Sequence, residues 1–177
     1  MVSDSPVTGP SDSGQILAEA LSEDFSNGDI SFDAVYNGSL DAASTFDGVN
    51  FGFANTYEGQ TVGLFMGGGI ALSTGSADPD LTNSQGNFSV SHETPGDSQI
   101  DSIAGKNSYD ASSLEINFKT TEEIESISLS FMFGSEEFAE YVDTDFVDFA
   151  AIVLDGTNYA YFNNDPSFVF CACNSFF

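Results

Sequence analysis

Apolar positions near the N-terminus first follow a helical period and then a period of two. A short helix is predicted that begins after Ser13 as its cap and is ended by Asn27-Gly28. Its apolar stripe consists of Ile16, Leu17, Ala20 and Leu21. From Ile30 to Tyr36 apolar and polar residues then alternate, which predicts a half-buried strand closed by Asn37-Gly38.

The next segment is apolar but rich in glycine. Spaced phenylalanines predict another strand, interrupted at Asp47-Gly48, and these are Phe46, Phe51 and Phe53. The apolar stretch 62–75 has three consecutive glycines at 67–69, which predict two strands joined by a tight corner. Residues 76–110 are polar, with 87–91 as their best strand candidate.

Strand signals become strong in the C-terminal half. Apolar residues alternate with polar ones over 114–119 and again over 127–133, so both are predicted to be strands with one buried face. The uninterrupted apolar run 149–154 is typical of a central strand buried on both faces. Asp155-Gly156 then predicts a hairpin into 159–162. The expected fold class is mainly β, an antiparallel β-sandwich or jelly roll with one short N-terminal helix and long acidic loops.

Composition divides the chain into three parts. Residues 1–12 have linker composition, and 13–165 are expected to form the β domain. Residues 166–177 lack the acidic composition of the preceding chain, so we interpret them as an atypical tail that truncates the domain. No apolar run approaches the ~20 residues of a membrane span, so we expect no membrane insertion of this segment and any export signal to lie outside it.

The charge balance restricts the possible partners. Among 177 residues there are 28 Asp and Glu but only 2 Lys and Arg together, giving a formal net charge of −26. Nucleic-acid binding is excluded because phosphate backbones would be repelled. Such a charge fits a salt-rich cytoplasm or an extracellular space with millimolar calcium.

The acids are densest directly after the predicted strand 127–133. The motif Phe133-Gly134-Ser135-Glu136-Glu137-Phe138 is followed by further carboxylates at Glu140, Asp143, Asp145 and Asp148. No Lys or Arg follows Lys119. Crowded carboxylates repel one another, and coordination of a hard cation by oxygen ligands is the commonest reason to keep them together.

Several motifs occur in an order that resembles the choice-of-anchor L domain. They are Gly69-Ile70-Ala71-Leu72-Ser73-Thr74-Gly75, the strand opening Asp110-Ala111-Ser112-Ser113-Leu114-Glu115, the acidic motif up to Phe138, and Glu140-Tyr141-Val142. The matching segments span roughly residues 15–160. In place of the family's Phe-Asn-Asp, this chain has Phe146-Val147-Asp148, which removes one possible oxygen ligand.

The resemblance implies an extracellular, cell-surface or secreted module within a larger multidomain surface protein of bacteria or archaea. Such proteins are often calcium-dependent adhesins, so the implied partner is a peptide or glycan on another cell surface. This implication makes adhesion the favoured function.

Calcium is the cofactor that these acids would suit. The expected ligands are Asp110, Glu136, Glu137 and Asp148, with Asp143 and Asp145 as neighbours able to hold a second ion. Exposed Phe138 or Tyr141 would supply apolar contact to the partner. Because the Asp143–Asp148 stretch lacks the EF-hand spacing and its turn glycine, any site must be assembled from different loops.

Three other interpretations remain open. The acidic turn is a solvated surface in a salt-adapted protein, or calcium stiffens a structural spacer that binds nothing. A carbohydrate-active enzyme would need two carboxylates about 5–9.5 Å apart across a cleft. Adjacent Glu136 and Glu137 would face opposite sides of an extended chain, and His92 has no nucleophile motif near it. We therefore expect no enzymatic activity.

Overall fold

The protein is seen in a computed structural model that describes residues 10–22, 30–57, 60–77, 89–121, 123, 125–135, 144, 147–161 and 170–171. This part of the chain is mainly β, with every strand pair antiparallel, as predicted. Its elements, in chain order, are α1 (Pro10–Leu21), β1 (Ile30–Asn37), a 3-10 turn (Leu40–Ala42), β2 (Ala43–Tyr57), β3 (Gln60–Leu72), α2 (Ser98–Ala104), β4 (Ser113–Thr120), β5 (Phe149–Ala150), β6 (Val153–Leu154), β7 (Thr157–Asn158) and β8 (Phe170–Cys171).

The chain divides into two compact units. The first unit comprises residues 1–84, 88–95 and 109–125, and it contains α1 and strands β1 to β4. The second unit comprises residues 85–87, 96–108 and 126–177, and it contains α2 and strands β5 to β8.

Helix α1 is confirmed, but its start and its buried face differ from the prediction. It begins at Pro10, a residue suited to the first helical turn because its missing N–H would have no partner there. Ser13 is therefore inside the helix and fully buried, so its prediction as the cap is wrong. Leu17 and Ala18 are also fully buried, whereas Ile16 is exposed.

Strands β1 and β4 form an antiparallel pair as their alternating patterns predict. The register runs from Ile30 opposite Thr120 to Asn37 opposite Ser113. Within β1 the buried positions Ala34 and Tyr36 alternate with exposed ones, as a sheet with one covered face requires. The prediction of one-faced strands is confirmed here.

Strands β2 and β3 form a long hairpin without the predicted interruptions. Asp47 pairs within β2, and β3 runs through 67–69 without a corner. Gly69, with φ +151°, lies opposite Phe46, and a Cβ on Gly69 would lie 3.3 Å from the Phe46 ring. The glycine there accommodates an aromatic ring across the hairpin, and the register irregularity lies instead between Phe51 and Asn55.

Among the described residues of the first unit, an apolar cluster centres on α1. Leu17, Tyr36 and Ala43 are its buried members, with Ile70 and Leu114 packed against them. The helix thus joins residues of β1, β2, β3 and β4 into one apolar cluster. These contacts give the β1–β4 pair and the β2–β3 pair a common core.

The second unit differs most from the sequence prediction. Helix α2 lies in the region expected to be loop, while the predicted strand over 127–133 is wrong, since residues 126–135 form no strand. None of them pairs in a ladder with another residue of the described chain. Residues 89–91 likewise form no strand, and 87–88 lie outside the described residues.

The apolar run 149–154 is divided between two short strands. Phe149–Ala150 (β5) pairs with Phe170–Cys171 (β8), which brings part of the atypical tail into a sheet. Val153–Leu154 (β6) pairs with Thr157–Asn158 (β7) through the predicted turn at Asp155-Gly156. Both turn residues have positive φ, 48° and 81°, as a two-residue type I′ turn requires. The turn is therefore confirmed, but its returning strand is Thr157–Asn158 and precedes the predicted 159–162. The prediction of a single central strand over 149–154 is wrong.

Candidate functional site

The structure describes two of the predicted site residues. Asp110 lies in the first unit and Asp148 in the second. The remaining candidates lie outside the described residues, and these are Glu136, Glu137, Phe138, Tyr141, Asp143 and Asp145. Within the ranges described, no group of three or more His, Cys, Asp or Glu is placed to hold a metal ion.

Asp148 lies next to the start of the acidic motif. Ser135 Oγ donates a hydrogen bond to Asp148 Oδ2 at 2.5 Å, and both residues are half-buried. Ser135 immediately precedes Glu136-Glu137 in the chain. Two segments that are 13 residues apart in sequence therefore meet where the acids begin, as a site assembled from different loops requires.

Asp110 instead organises a loop within the first unit. Its Oδ1 accepts hydrogen bonds from the Thr94 backbone N–H at 2.7 Å and from Thr94 Oγ1 at 3.2 Å. Its Oδ2 accepts one from Ser91 Oγ at 2.9 Å. Asp110 N donates to Thr94 O at 3.1 Å, and Pro95 forms a bridge with Tyr109. The side chain and backbone of Asp110 thus hold the loop 91–95 against the residues that precede β4.

The same hydrogen bonds change the acidity of Asp110. Partial burial raises its pKa, but the bonds from Thr94 and Ser91, together with one from the His92 backbone, outweigh this and hold the pKa below its usual value. Both Asp110 and Glu93 have left-handed backbones, with φ 49° and 54°. A non-glycine residue in that region is uncommon and persists where surrounding contacts hold it.

His92 contributes to this loop as a structural residue. Its Nε2 lies 3.1 Å from Gly75 O, which links the loop to the segment that follows β3. The side chain is half-buried.

In the second unit, two further carboxylates that the sequence analysis did not predict hold helix α2 and the residues after it through hydrogen bonds. Asp97 Oδ1 caps α2 by accepting from Gln99 N at 2.8 Å and Ile100 N at 3.2 Å. Asp101 Oδ1 accepts from Ser108 Oγ at 2.6 Å and from its backbone N–H, and these bonds lower the pKa of Asp101. The available signals were Asp97 before the helix and Gly105, with φ 70°, after it.

Exposed aromatic and aliphatic groups occur in both units. Tyr109 in the first unit and Tyr159 in the second are largely exposed. The second unit also exposes Ile127, Leu129 and Phe131, which precede Ser135 closely in sequence. The described surface therefore offers more than acids and hydroxyl groups.

These features define a mainly β, strongly acidic module in which polar turns are held by carboxylates. The choice-of-anchor L domain matches residues 15–168, and the chain belongs to that family. It is accordingly a module of a surface protein, as its motifs predict. No curated protein and no solved structure matches the chain. Within the described residues, no helix is both long and apolar enough to cross a membrane.

Proposed function

We propose that this chain is an extracellular, calcium-dependent adhesion module that binds a peptide or glycan on a partner surface. The observation that carries the proposal is the hydrogen bond between Ser135 and Asp148. It brings one carboxylate to Ser135, the residue that precedes Glu136-Glu137 in the chain, and this supports a convergence of acids from two segments on one ion. We propose no catalytic role for them.

The electrostatics of this convergence favour a divalent cation. The chain has no Lys or Arg after Lys119, so it offers no positive side chain from its own sequence there. Calcium accepts about 6–8 oxygen ligands. The Asp148 carboxylate and the Ser135 hydroxyl group are ligands of the kind it takes. The proposed ligands are Asp148, Glu136 and Glu137, with Asp143 and Asp145 as neighbours.

Asp110 has a different role within the proposal. Both of its oxygens already accept hydrogen bonds from the loop 91–94. We therefore propose that it supports the fold of the first unit, with calcium ligation as a second role still to be tested by substitution.

Binding of a partner would follow from an incompletely filled coordination shell. A partner carboxylate or hydroxyl group would complete the shell, while Phe138 and Tyr141 would supply apolar contact. Tyr159 and Phe131 are exposed in the second unit, and they would be further candidates for apolar contact with a partner.

Thermal unfolding of the wild-type chain and Asp148→Asn tests the calcium step. Calcium at about one hundred times its Kd would stabilise the wild type by about 2.7 kcal/mol, which raises Tm by several degrees. The same ionic strength of NaCl should raise Tm less. Asp148→Asn should lose most of the calcium-specific rise, whereas Asp155→Asn, at the exposed hairpin turn, should keep it. Equal shifts in NaCl and calcium, or an unaffected Asp148→Asn, would contradict the proposal.

A peptide and glycan array probed in calcium and in EGTA tests the adhesion step. Binding that disappears in EGTA while circular dichroism still shows a folded chain would support adhesion through a bound ion. A calcium-dependent Tm without binding to any probe would identify a spacer instead.

A further inference from the structure

Asn37 begins a glycosylation motif at the exposed end of strand β1. The sequence Asn37-Gly38-Ser39 has the form Asn-x-Ser in which x is not proline. In a secreted protein this motif is the acceptor for an asparagine-linked glycan and lies on the surface. The chain is a module of a surface protein, so the motif occurs in the setting where it is used. Short motifs also occur by chance, so the structure around Asn37 is the stronger argument.

The alternation of β1 turns the Asn37 side chain outward. Tyr36 is buried, and successive side chains of a strand point to opposite faces. Asn37 is accordingly exposed, and so is Gly38. Asn37 is also the last residue of β1, opposite Ser113, so Gly38 and Ser39 lie outside the β1–β4 ladder. An enzyme can therefore reach the Asn37 amide while the rest of the ladder stays paired.

The turn after β1 is held through its backbone and not through the hydroxyl group of Ser39. Tyr36 Oη donates a hydrogen bond to Ser39 O at 2.7 Å. Ser39 occupies the cap position of the 3-10 turn 40–42 with an extended backbone, but its side chain makes no cap hydrogen bond. A serine in that position usually caps the turn with its hydroxyl group. The hydroxyl group that the motif requires is thus not committed to the turn.

We propose that Asn37 is an attachment site for an asparagine-linked glycan. The donor is a lipid-linked oligosaccharide, and the enzyme is an oligosaccharyltransferase. Asn37 Nδ2 forms a bond to the anomeric carbon of the first sugar and gives up one proton to the enzyme. The bond from that carbon to the lipid phosphate breaks, and the phosphate oxygen leaves with the electron pair.

The glycan would cover an apolar position on the same face of the sheet. Val35 precedes Asn37 by two residues, so the two side chains share a face, and Val35 is 42% exposed. This inference depends on the surface location of the module but not on calcium or on adhesion. Either proposal can therefore fail while the other holds.

The test supplies the folded full chain to a purified oligosaccharyltransferase that recognises Asn-x-Ser/Thr, together with its lipid-linked oligosaccharide. Mass spectrometry of proteolytic peptides then locates the added sugar. We expect a glycan on Asn37 in the wild type, its complete loss in Asn37→Gln and Ser39→Ala, and its retention in Ser39→Thr. Because the Ser39 side chain does not cap the turn, Ser39→Ala should keep the Tm of the wild type. Loss of the glycan at an unchanged Tm would then report recognition of the motif and not unfolding.

Two asparagine variants are the controls. Asn117 is an exposed asparagine of the same sheet in the sequence Asn117-Phe118-Lys119, which lacks the hydroxyl residue, so it should carry no sugar and Asn117→Gln should leave the modification of Asn37 unchanged. A second motif, Asn87-Phe88-Ser89, has its asparagine outside the described residues. The glycan on Asn37 should remain in Asn87→Gln.

Three results would overturn the proposal. The first is a folded chain without a glycan on Asn37, and a synthetic peptide of residues 34–42 tells whether the fold or the sequence prevents the reaction. The second is a glycan that persists on Asn37 in Ser39→Ala, since the addition would then not depend on the motif. The third is Asn37 recovered only as aspartate without sugar, which would assign Asn37-Gly38 to deamidation.

Discussion

Gly14 is the residue at which helix α1 touches the sheet most closely. A Cβ built there would lie 2.4 Å from Ala34 O and 2.8 Å from Val35 N. Real Cβ atoms do not approach backbone atoms so closely, so the helix rests on β1 through a residue that has no side chain. The position requires glycine for packing, although glycine lowers helix propensity.

We predict that Gly14→Ala lowers the free energy of unfolding by about 1–2 kcal/mol. Overpacking typically costs about 1–3 kcal/mol, and alanine recovers up to about 1 kcal/mol of helix propensity. The cost of the steric clash should exceed the gain in helix propensity, because the opposing atoms belong to the backbone and cannot rotate away. Urea unfolding measures the change, and Gly67→Ala, with nothing within 4 Å of its Cβ, should stay within about 0.5 kcal/mol of the wild type. A stabilised Gly14→Ala would show that the helix is free to move outward.

Asp110 makes stability depend on pH at the acidic end of the range. Its folded-state pKa is lowered, so its contribution is present above the unfolded value of about 3.9 and is lost as pH falls through the folded-state pKa. We expect Asp110→Asn to destabilise the protein at pH 6 and to approach the wild type below about pH 4. Urea unfolding across this pH range measures the difference. Asp33→Asn, on the exposed face of β1, is the matched control, and a pH-independent effect of Asp110→Asn would contradict the expectation.

The alternation of hydrophobic and polar residues was sufficient to predict the strands that pack on helix α1. It was not sufficient in the second unit. Strands β1 and β4 combine alternation with a covered face, so pattern and structure agree. Residues 127–133 show the same alternation without forming a strand, because a strand needs a pairing partner that period alone does not identify. The glycines at 67–69 were misleading for a related reason, since Gly69 accommodates the ring of Phe46 in the opposite strand and does not form a corner.

Short polar elements escaped prediction because side-chain hydrogen bonds specify them. Helix α2 has only seven residues, and its stability comes from the Asp97 cap and the Asp101–Ser108 contact. The division of 149–154 likewise depends on Asn158. Its buried Oδ1 accepts hydrogen bonds from Ile152 N at 3.1 Å and Ala160 N at 3.0 Å, where a continuous strand would use a neighbouring backbone carbonyl.

We predict that Asn158→Ala destabilises the second unit by about 1–3 kcal/mol, because two enclosed N–H groups lose their acceptor. Thermal unfolding followed by near-ultraviolet circular dichroism measures the loss. Asn117→Ala removes an exposed asparagine whose side chain donates a hydrogen bond to exposed Glu115, so it should cost less than about 0.5 kcal/mol. Equal costs at the two positions would contradict a specific role for Asn158.

At the scale of the whole molecule, sequence motifs identified the family, whereas charge and composition did not locate the site. The motifs around Gly69, Asp110 and Ser135 were enough to predict the family, which matches residues 15–168. A formal charge of −26 does not distinguish acids that hold a turn from acids that bind an ion. Asp97, Asp101 and Asp110 show why: each accepts hydrogen bonds from nearby serine, threonine or backbone groups, which no charge count reveals.

The bridge between Pro95 and Tyr109 also affects which changes in chain length the module can tolerate. The residues before and after segment 96–108 are joined by a backbone bridge and by bonds from Asp110 N and Ala111 N to Thr94 O and Pro95 O. Segment 96–108 leaves the first unit after Pro95 and returns to it at Tyr109, and these two residues are bridged. The length of the segment is therefore not coupled to the register of β4. Loop-closure entropy grows only slowly with length. A change of length between these anchors would therefore leave the pairing of β1 with β4 in place.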